Sequence, residues 1–212
     1  MPPSEPVPSI EPSSAVGSMP PLVPGRECGD CNVCCIALTI DDPALRKVQG
    51  VRCGNAQPDN RCIVYANRPG TCRTFYCGWR RLKWVRVSLR PDLAGILVRL
   101  AGMKIEGTPV KSIVFTLLRE DALHADVVAE ALATAVTTGY PVFLEVVGAP
   151  GYTYGAARMD EVLSLPVGLR DKAGVLSLLR QAWTEGRAGP HRAIVMDQEA
   201  AGRQWGDAGG TR

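Results

Sequence analysis

The chain is poor in several residue types that would carry familiar chemistry. It has two histidines, His124 and His191, an aromatic content of 6%, and no cysteine outside the stretch from Cys28 to Cys77. Nucleophilic catalysis by a cysteine–histidine or serine–histidine pair would have to rest on one of those two histidines, and neither has a local signature; a surface or capping role suits His124 better. No Lys or Arg precedes Arg26, and the opening residues contain no continuous apolar run, which excludes the basic and hydrophobic regions of a secretory signal. No stretch approaches the length of apolar chain that spans a bilayer. The expected location is therefore the cytoplasm, with no membrane partner. A net charge of +3 and a pI near 8.5 are too mild to mark a nucleic-acid binder by themselves.

What is present is concentrated. All eight cysteines fall in one short segment, spaced C-x2-C-x2-C-C at Cys28, Cys31, Cys34 and Cys35, then Cys53, Cys62, Cys72 and Cys77. Inside a reducing compartment such clustering reads as metal ligation before disulfide formation. A C-x2-C loop lets two sulfurs converge on one ion, because the intervening backbone turns back on itself with its N–H groups toward sulfur. Three thiolates in a C-x2-C-x2-C run are also how bacterial ferredoxins hold three irons of a cubane, the fourth ligand coming from elsewhere. Here Cys35 follows Cys34 directly, and neighbouring side chains tend to point apart. Cys34 and Cys35 are thus not expected to share an ion. The wide spacings of Cys53, Cys62, Cys72 and Cys77 allow them to complete the first site, build a second, or divide between two.

Between Arg61 and Arg90 there are eight basic residues and no acidic one. Four thiolates around zinc or an iron–sulfur core leave about two negative charges, which nearby cations would balance. The same residues interleave with Phe75, Tyr76, Trp79 and Trp84, a pattern that also suits stacking of nucleic-acid bases. In so small a unit the aromatics are more economically its core.

The rest of the chain divides by composition. Residues 1–26 hold eight of the 17 prolines, all before residue 25, and five serines, and are expected to form a disordered arm. Residues 27–90 form the cysteine module, whose few large apolar side chains cannot stabilise it alone. Residues 91–185 have α/β grammar: strands around Ile96–Leu100, Ile113–Leu118 and Val142–Val147, and a helix from a cap at Asp121 to about Thr138. A right-handed crossover joins the second and third strands. A last helix is expected over Leu169–Trp183, and residues 186–212 read as a flexible tail with a short strand at Ala193–Met196. The segment Gly148–Gly155 reads as a loop between strand and helix. It lacks G-x-G-x-x-G spacing, so a mobile loop is preferred over a phosphate cradle. Asp160 and Glu161 show no paired acid–base arrangement.

The run Cys62-Ile-Val-Tyr-Ala-Asn-Arg-Pro-Gly-Thr-Cys72-Arg-Thr-Phe75, preceded by C-x2-C-x2-C-C, resembles the YkgJ-type cysteine-cluster family, described as zinc- or iron-chelating. The matching positions are Cys28, Cys31, Cys34, Cys35, Cys53, Cys62, Tyr65, Arg68, Pro69, Cys72, Arg73 and Phe75, so the resemblance covers about residues 27–80. It implies metal chelation, and through flagellin lysine methylases that carry a similar domain it keeps an enzyme reading open by analogy. Physically, Pro69 fixes its own φ and pushes Arg68 into an extended conformation, which holds Cys62 and Cys72 at a set separation. Arg73 is placed to donate to a carboxylate or a sulfur, while Tyr65 and Phe75 pack against the turn.

The sequence thus predicts an α+β protein in which a small cysteine-rich metal-binding module packs on a small mixed α/β sheet unit of three or four strands. Its expected ligands are Cys28, Cys31, Cys34, Cys35, Cys53, Cys62, Cys72 and Cys77. The expected cofactor is an iron–sulfur cluster, slightly favoured by the three-cysteine run, or zinc. The competing uses are a cluster-dependent enzyme of the lysine methylase kind and a redox-sensing nucleic-acid binder.

Overall fold

The computed structural model describes residues 19–59, 61–188 and 192–193. The first half of the chain contains only short elements: α1 (Cys34–Ala37), β1 (Ile40–Asp42), β2 (Leu45–Lys47), α2 (Gly70–Thr74), α3 (Gly78–Arg81) and α4 (Pro91–Ala94). The second half holds β3 (Ile96–Ile105), β4 (Thr108–Leu117), α5 (Asp126–Thr137), β5 (Val142–Val147), β6 (Tyr152–Arg158), α6 (Asp160–Gly168), α7 (Lys172–Ala188) and β7 (Arg192–Ala193). The architecture is α+β, with a two-stranded sheet from β1 and β2 and a mixed sheet ordered β3-β4-β5-β6-β7, whose last strand has two residues.

The expected strands form the centre of that sheet. β3 and β4 are joined by a two-residue turn in which Glu106 and Gly107 have φ of 49° and 82°, the left-handed pair whose twist matches a tight hairpin. The β4–α5–β5 crossover makes the sheet's parallel pair, Ile113 opposite Val142 through Leu117 opposite Val146. Alternation then sets the layers. Val98, Leu100, Ile113, Phe115, Val142 and Leu144 face a common core with Val128 and Leu132 of α5, Leu163 of α6, and Leu179 and Trp183 of α7. The other side of the sheet carries a smaller cluster of Ala101, Val114 and Phe143. Beside it Arg99 meets Glu145 at 2.8 Å, and the Thr116 hydroxyl donates to the same carboxylate oxygen at 2.9 Å.

Several elements differ from expectation. Asp121 does not cap a long helix: residues Glu120–His124 form a separate 3-10 turn, Ala125 is extended, and α5 starts at Asp126. Asp121 instead faces Arg119 at 3.1 Å, while the Arg119 guanidinium also donates to the carbonyls of Asp92 and Leu93. His124 is exposed at the end of that turn. Gly139, at φ 76°, follows the helix in the left-handed conformation that ends helices. The expected last helix is α7, shifted to Lys172–Ala188, and a separate helix, α6, precedes it. α6 ends at Gly168, Arg170 turns with φ 56°, and the Asp171 carboxylate accepts from Gly174 N–H at 2.9 Å at the start of α7. Leu169, the expected first residue of that helix, is consequently 71% exposed in the joint.

The second half of the glycine-rich segment is a strand. β6 begins at Tyr152 and pairs antiparallel with β5 across an irregularity between Glu145 and Val147, so no helix N-terminus follows the loop. That removes the geometry a phosphate cradle needs. Of the segments expected to be an arm and a tail, residues 1–18, 189–191 (His191 among them) and 194–212 lie outside the described residues. Residues 19–26 run along the segment that follows Cys77: Val23 N–H donates to Arg80 O at 2.7 Å, and the Arg81 guanidinium donates to Pro20 O at 2.5 Å.

The two halves share one seam. Trp79, Leu82, Val85 and Leu89 belong to the core of the large sheet, and Gly78 lies against Val98, where a Cβ would stand 2.9 Å from Val98 Cγ1 and 3.0 Å from Val98 O. No helix among the described residues is long and apolar enough to cross a membrane.

Candidate metal-binding site

The cysteine segment is held by backbone turns and ionic contacts. Cys31 N–H donates to Cys28 O at 2.9 Å, with Gly29 between them at φ 54°, so the first C-x2-C is the tight turn its spacing implies. α1 then presents Cys34 and Cys35 in its first turn. After the β1–β2 hairpin the chain returns to α1: Gly50 N–H donates to Ile36 O at 3.0 Å and Cys53 N–H to Cys35 O at 2.9 Å. Beyond Cys53 the backbone turns again, and Asn55 N–H points at Cys53 Sγ at 3.4 Å, the amide-to-sulfur contact that suits a thiolate ligand.

A bridge between Ala56 and Cys62, with Ile63 N–H on Asn55 O at 3.0 Å, brings Cys62 back to that turn. Arg68 and Pro69 then run extended, with φ and ψ of −54°, 145° and −50°, 152°, and α2 begins at once with Cys72 at its centre. Thr71 N–H donates to Asp42 Oδ2 at 3.1 Å, which fixes α2 against β1. Arg73 supports the Asp42 carboxylate electrostatically, and together with the amides of Ala44 and Thr71 it holds that group below the usual carboxylate range. Cys77 precedes α3, with Arg80 N–H on Cys77 O at 3.0 Å.

All eight cysteines are free thiols, Cys53 buried and the others half-buried. Their mutual electrostatics separate two neighbourhoods. Cys34 feels Cys28 and Cys31, Cys31 feels Cys77, and Cys77 feels Cys28. Cys72, by contrast, feels Cys35, Cys53 and Cys62. The two meet where the Cys34 thiol donates to Cys35. That hydrogen bond, helped by Lys47, Arg52 and Arg68, lowers Cys35 to about 6, while it and burial push Cys34 up. Burial pushes Cys31 up to about 11, and the Asp92 carboxylate adds to it. Burial also raises Cys72 and Cys77. Among the described residues no three His, Cys, Asp or Glu side chains stand in metal-holding geometry.

Residues not singled out by sequence do much of the positioning. Lys47 is buried, and its ammonium donates to the carbonyls of Ile36 at 3.1 Å, Leu38, and Val48 at 3.2 Å. Burial lowers its pKa, and Cys53 and Cys35 oppose that shift. Arg26 is also buried; it donates to Trp79 O at 2.7 Å and Leu82 O at 3.2 Å, beside Cys77. Arg90 joins Asp92 at 2.6 Å and Asp30 at 2.5 Å, and Asp92 accepts from the Cys31 thiol, so α4 is tied to the first cysteine loop. A lone lysine after Arg46 and an aspartate after Pro91 carry no sequence signal of this kind.

The basic run is accordingly not a single counter-charge for sulfur. Arg52, outside it, and Arg68 act on Cys35, whereas Arg61 faces Asp59 at 2.8 Å, Arg86 faces Glu130 at 3.0 Å and Arg90 faces two aspartates. The aromatics divide as well. Trp79 is core, but Tyr65 is 59% exposed with the Arg68 guanidinium 4.0 Å above its ring, and Tyr76 lies under Arg80 and Arg81 at 5.6 and 5.1 Å. A cavity of about 160 Å³ between α5 and the α6–α7 joint is lined by Ala129, Ala133, Pro166 and Val175 among others, and no cysteine reaches it.

No family model, curated protein or solved structure matches the chain.

Proposed function

We propose that this chain is a metal-binding protein whose clustered cysteine thiolates hold zinc or an iron–sulfur cluster. The observation that carries the reading is the make-up of the cysteine segment. Eight free thiols are gathered by turns, and around them the buried side chains are largely Arg26, Asn32, Lys47 and Gln49 with only Ala37, Ile40 and Cys53 as apolar partners. Such an interior has little hydrophobic cohesion, and thiolate–metal bonds supply cohesion of the right size: structural zinc contributes roughly 10–16 kcal/mol to small domains that lack a core. The motif resemblance to YkgJ-type proteins points the same way, through the residues quoted above.

Protonated, half-buried sulfurs favour neutrality, and an incoming cation displaces their protons. Lys47, Arg52 and Arg68 then stand where the excess negative charge of the thiolates falls. The test is purification of the full chain without oxygen, followed by metal analysis and a visible spectrum. Brown material that bleaches on reduction identifies iron–sulfur, and colourless material with stoichiometric zinc identifies a structural site. Protein that carries neither metal and takes up neither under reducing conditions overturns the reading.

A further inference from the structure

Resting on that reading, the geometry points to two separate four-sulfur sites, one built from Cys28, Cys31, Cys34 and Cys77 and the other from Cys35, Cys53, Cys62 and Cys72. Chain spacing alone leaves the four distal cysteines unassigned; backbone contacts assign them. Cys53 N–H lies on Cys35 O at 2.9 Å, which puts Cys53 beside the second cysteine of the adjacent pair. The Ala56–Cys62 bridge and the Ile63–Asn55 hydrogen bond fold Cys62 onto the same turn, while Thr71 N–H on Asp42 fixes α2 against β1 with Cys72 in the field of Cys35, Cys53 and Cys62. Cys77 goes the other way. It sits at the foot of α3, whose Gly78 abuts β3, next to the Arg26 guanidinium that anchors the chain two residues before Cys28.

The mutual electrostatics of the thiols follow the same division, with Cys34 and Cys35 as the point of contact. In a helical first turn, consecutive side chains leave the axis about 100° apart. Adjacent cysteines can therefore face two ions while their sulfurs touch before metal arrives. The surrounding charge agrees. The second set has Lys47, Arg52 and Arg68 close by, and the first has Arg26, with Asp92 beside Cys31 already neutralised by Arg90.

The first set also repairs the ferredoxin-like pattern that Cys35 interrupts. A C-x2-C-x2-C run needs a fourth thiolate from a distance, and Cys77 supplies it, leaving Cys35 to the other site.

The experiment is titration of the metal-free, reduced full chain with cobalt(II), whose tetrahedral thiolate complexes are intensely coloured, combined with mass-spectrometric mapping of alkylated cysteines. The expected end point is two equivalents, with all eight thiols protected. At one equivalent, the thiols protected together should be members of a single set. Cys62→Ala should bind one equivalent and protect Cys28, Cys31, Cys34 and Cys77, and Cys77→Ala should protect Cys35, Cys53, Cys62 and Cys72. Should a variant fail to fold, the wild-type mapping decides alone. An end point of one equivalent with four thiols still alkylated, or protection that mixes the two sets, overturns the partition and leaves metal binding intact. No cobalt uptake overturns both.

Discussion

The cysteine segment and the mixed sheet reach order by opposite routes, although they share a seam at Trp79 and Leu89. In the sheet unit Phe115, Leu132, Leu144 and Leu179 are almost wholly removed from water and pack against one another across two layers. At roughly 25 cal/mol per Å2 of apolar surface, such burial stabilises the unit without help. In the segment from Cys28 to Cys77 the elements have three to five residues, and the buried groups are mostly cations, amides and thiols. Backbone turns set its shape. What is missing there is apolar cohesion, which the proposed metal would supply. A unit of the first kind tolerates changes of ligand, whereas one of the second kind lives or dies by its ligand.

Metal removal is the strongest way to break that contrast. With chelator and reductant, amides of residues 28–77 are expected to lose most of their protection from hydrogen exchange, while those of β3, β4 and β5 keep theirs. The ligand contribution at stake is of the order of 10 kcal/mol. Simultaneous loss in both regions would show that the sheet leans on the metal as heavily as its neighbour does.

Cutting the hydrophobic core attacks the other side. Phe115→Ala removes a ring with no exposed surface from the centre of the sheet's core, and is expected to cost about 3–5 kcal/mol in denaturant unfolding. The metal content of the folded fraction should not change. A variant that unfolds normally but has lost its metal would mean that the sheet's packing shapes the thiol sites.

The seam offers an intermediate effect. A methyl group at position 78 meets both Val98 Cγ1 and Val98 O at 3.0 Å or less, and one of those atoms is backbone. Gly78→Ala should therefore destabilise by roughly 1–3 kcal/mol. Because Cys77 precedes it, the same change should weaken retention of one metal equivalent against chelator and spare the other. Equal weakening of both would argue that the segment moves as a single rigid body.

The same contrast explains what could be read from sequence. Strands β3, β4 and β5 announce themselves through Ile96–Leu100, Ile113–Leu118 and Val142–Val147, because burial on two faces demands continuous aliphatic runs. β6 does not: Tyr152-Thr-Tyr-Gly-Ala-Ala-Arg has no such run, and its glycine reads as a loop. α6 is equally silent, because Val162 and Leu165 are exposed and Leu163 is its one buried side chain, too little for an apolar stripe. In the cysteine segment the clustering of thiols is legible and the residues that position them are not. Which thiol lies near which depends on contacts such as Thr71 to Asp42, 29 residues apart, and Arg90 to Asp30, 60 residues apart, and no local pattern encodes those.

The smallest effect concerns the Cys34–Cys35 pair in metal-free protein. The Cys35 pKa is lowered from 9.0 to about 6, so above pH 6 the folded chain carries a thiolate that the unfolded chain still holds protonated. The unfolded state then binds more protons, and stability rises as pH increases from about 6 toward 9. Above 9 the sign reverses, since Cys34, Cys31, Cys72 and Cys77 retain protons in the folded chain that the unfolded chain releases. Denaturation midpoints of reduced, metal-free protein should therefore pass through a maximum near the ordinary thiol pKa, and Cys35→Ser should remove the rising limb. Alkylation gives an independent reading. One thiol should react fast with half-maximal rate near pH 6, and loading with metal should silence it. A rate that rises only near pH 9 would mean that neither the Cys34 hydrogen bond nor Lys47, Arg52 and Arg68 stabilise that thiolate, and the charge complementarity assigned to this side of the segment would fall with it.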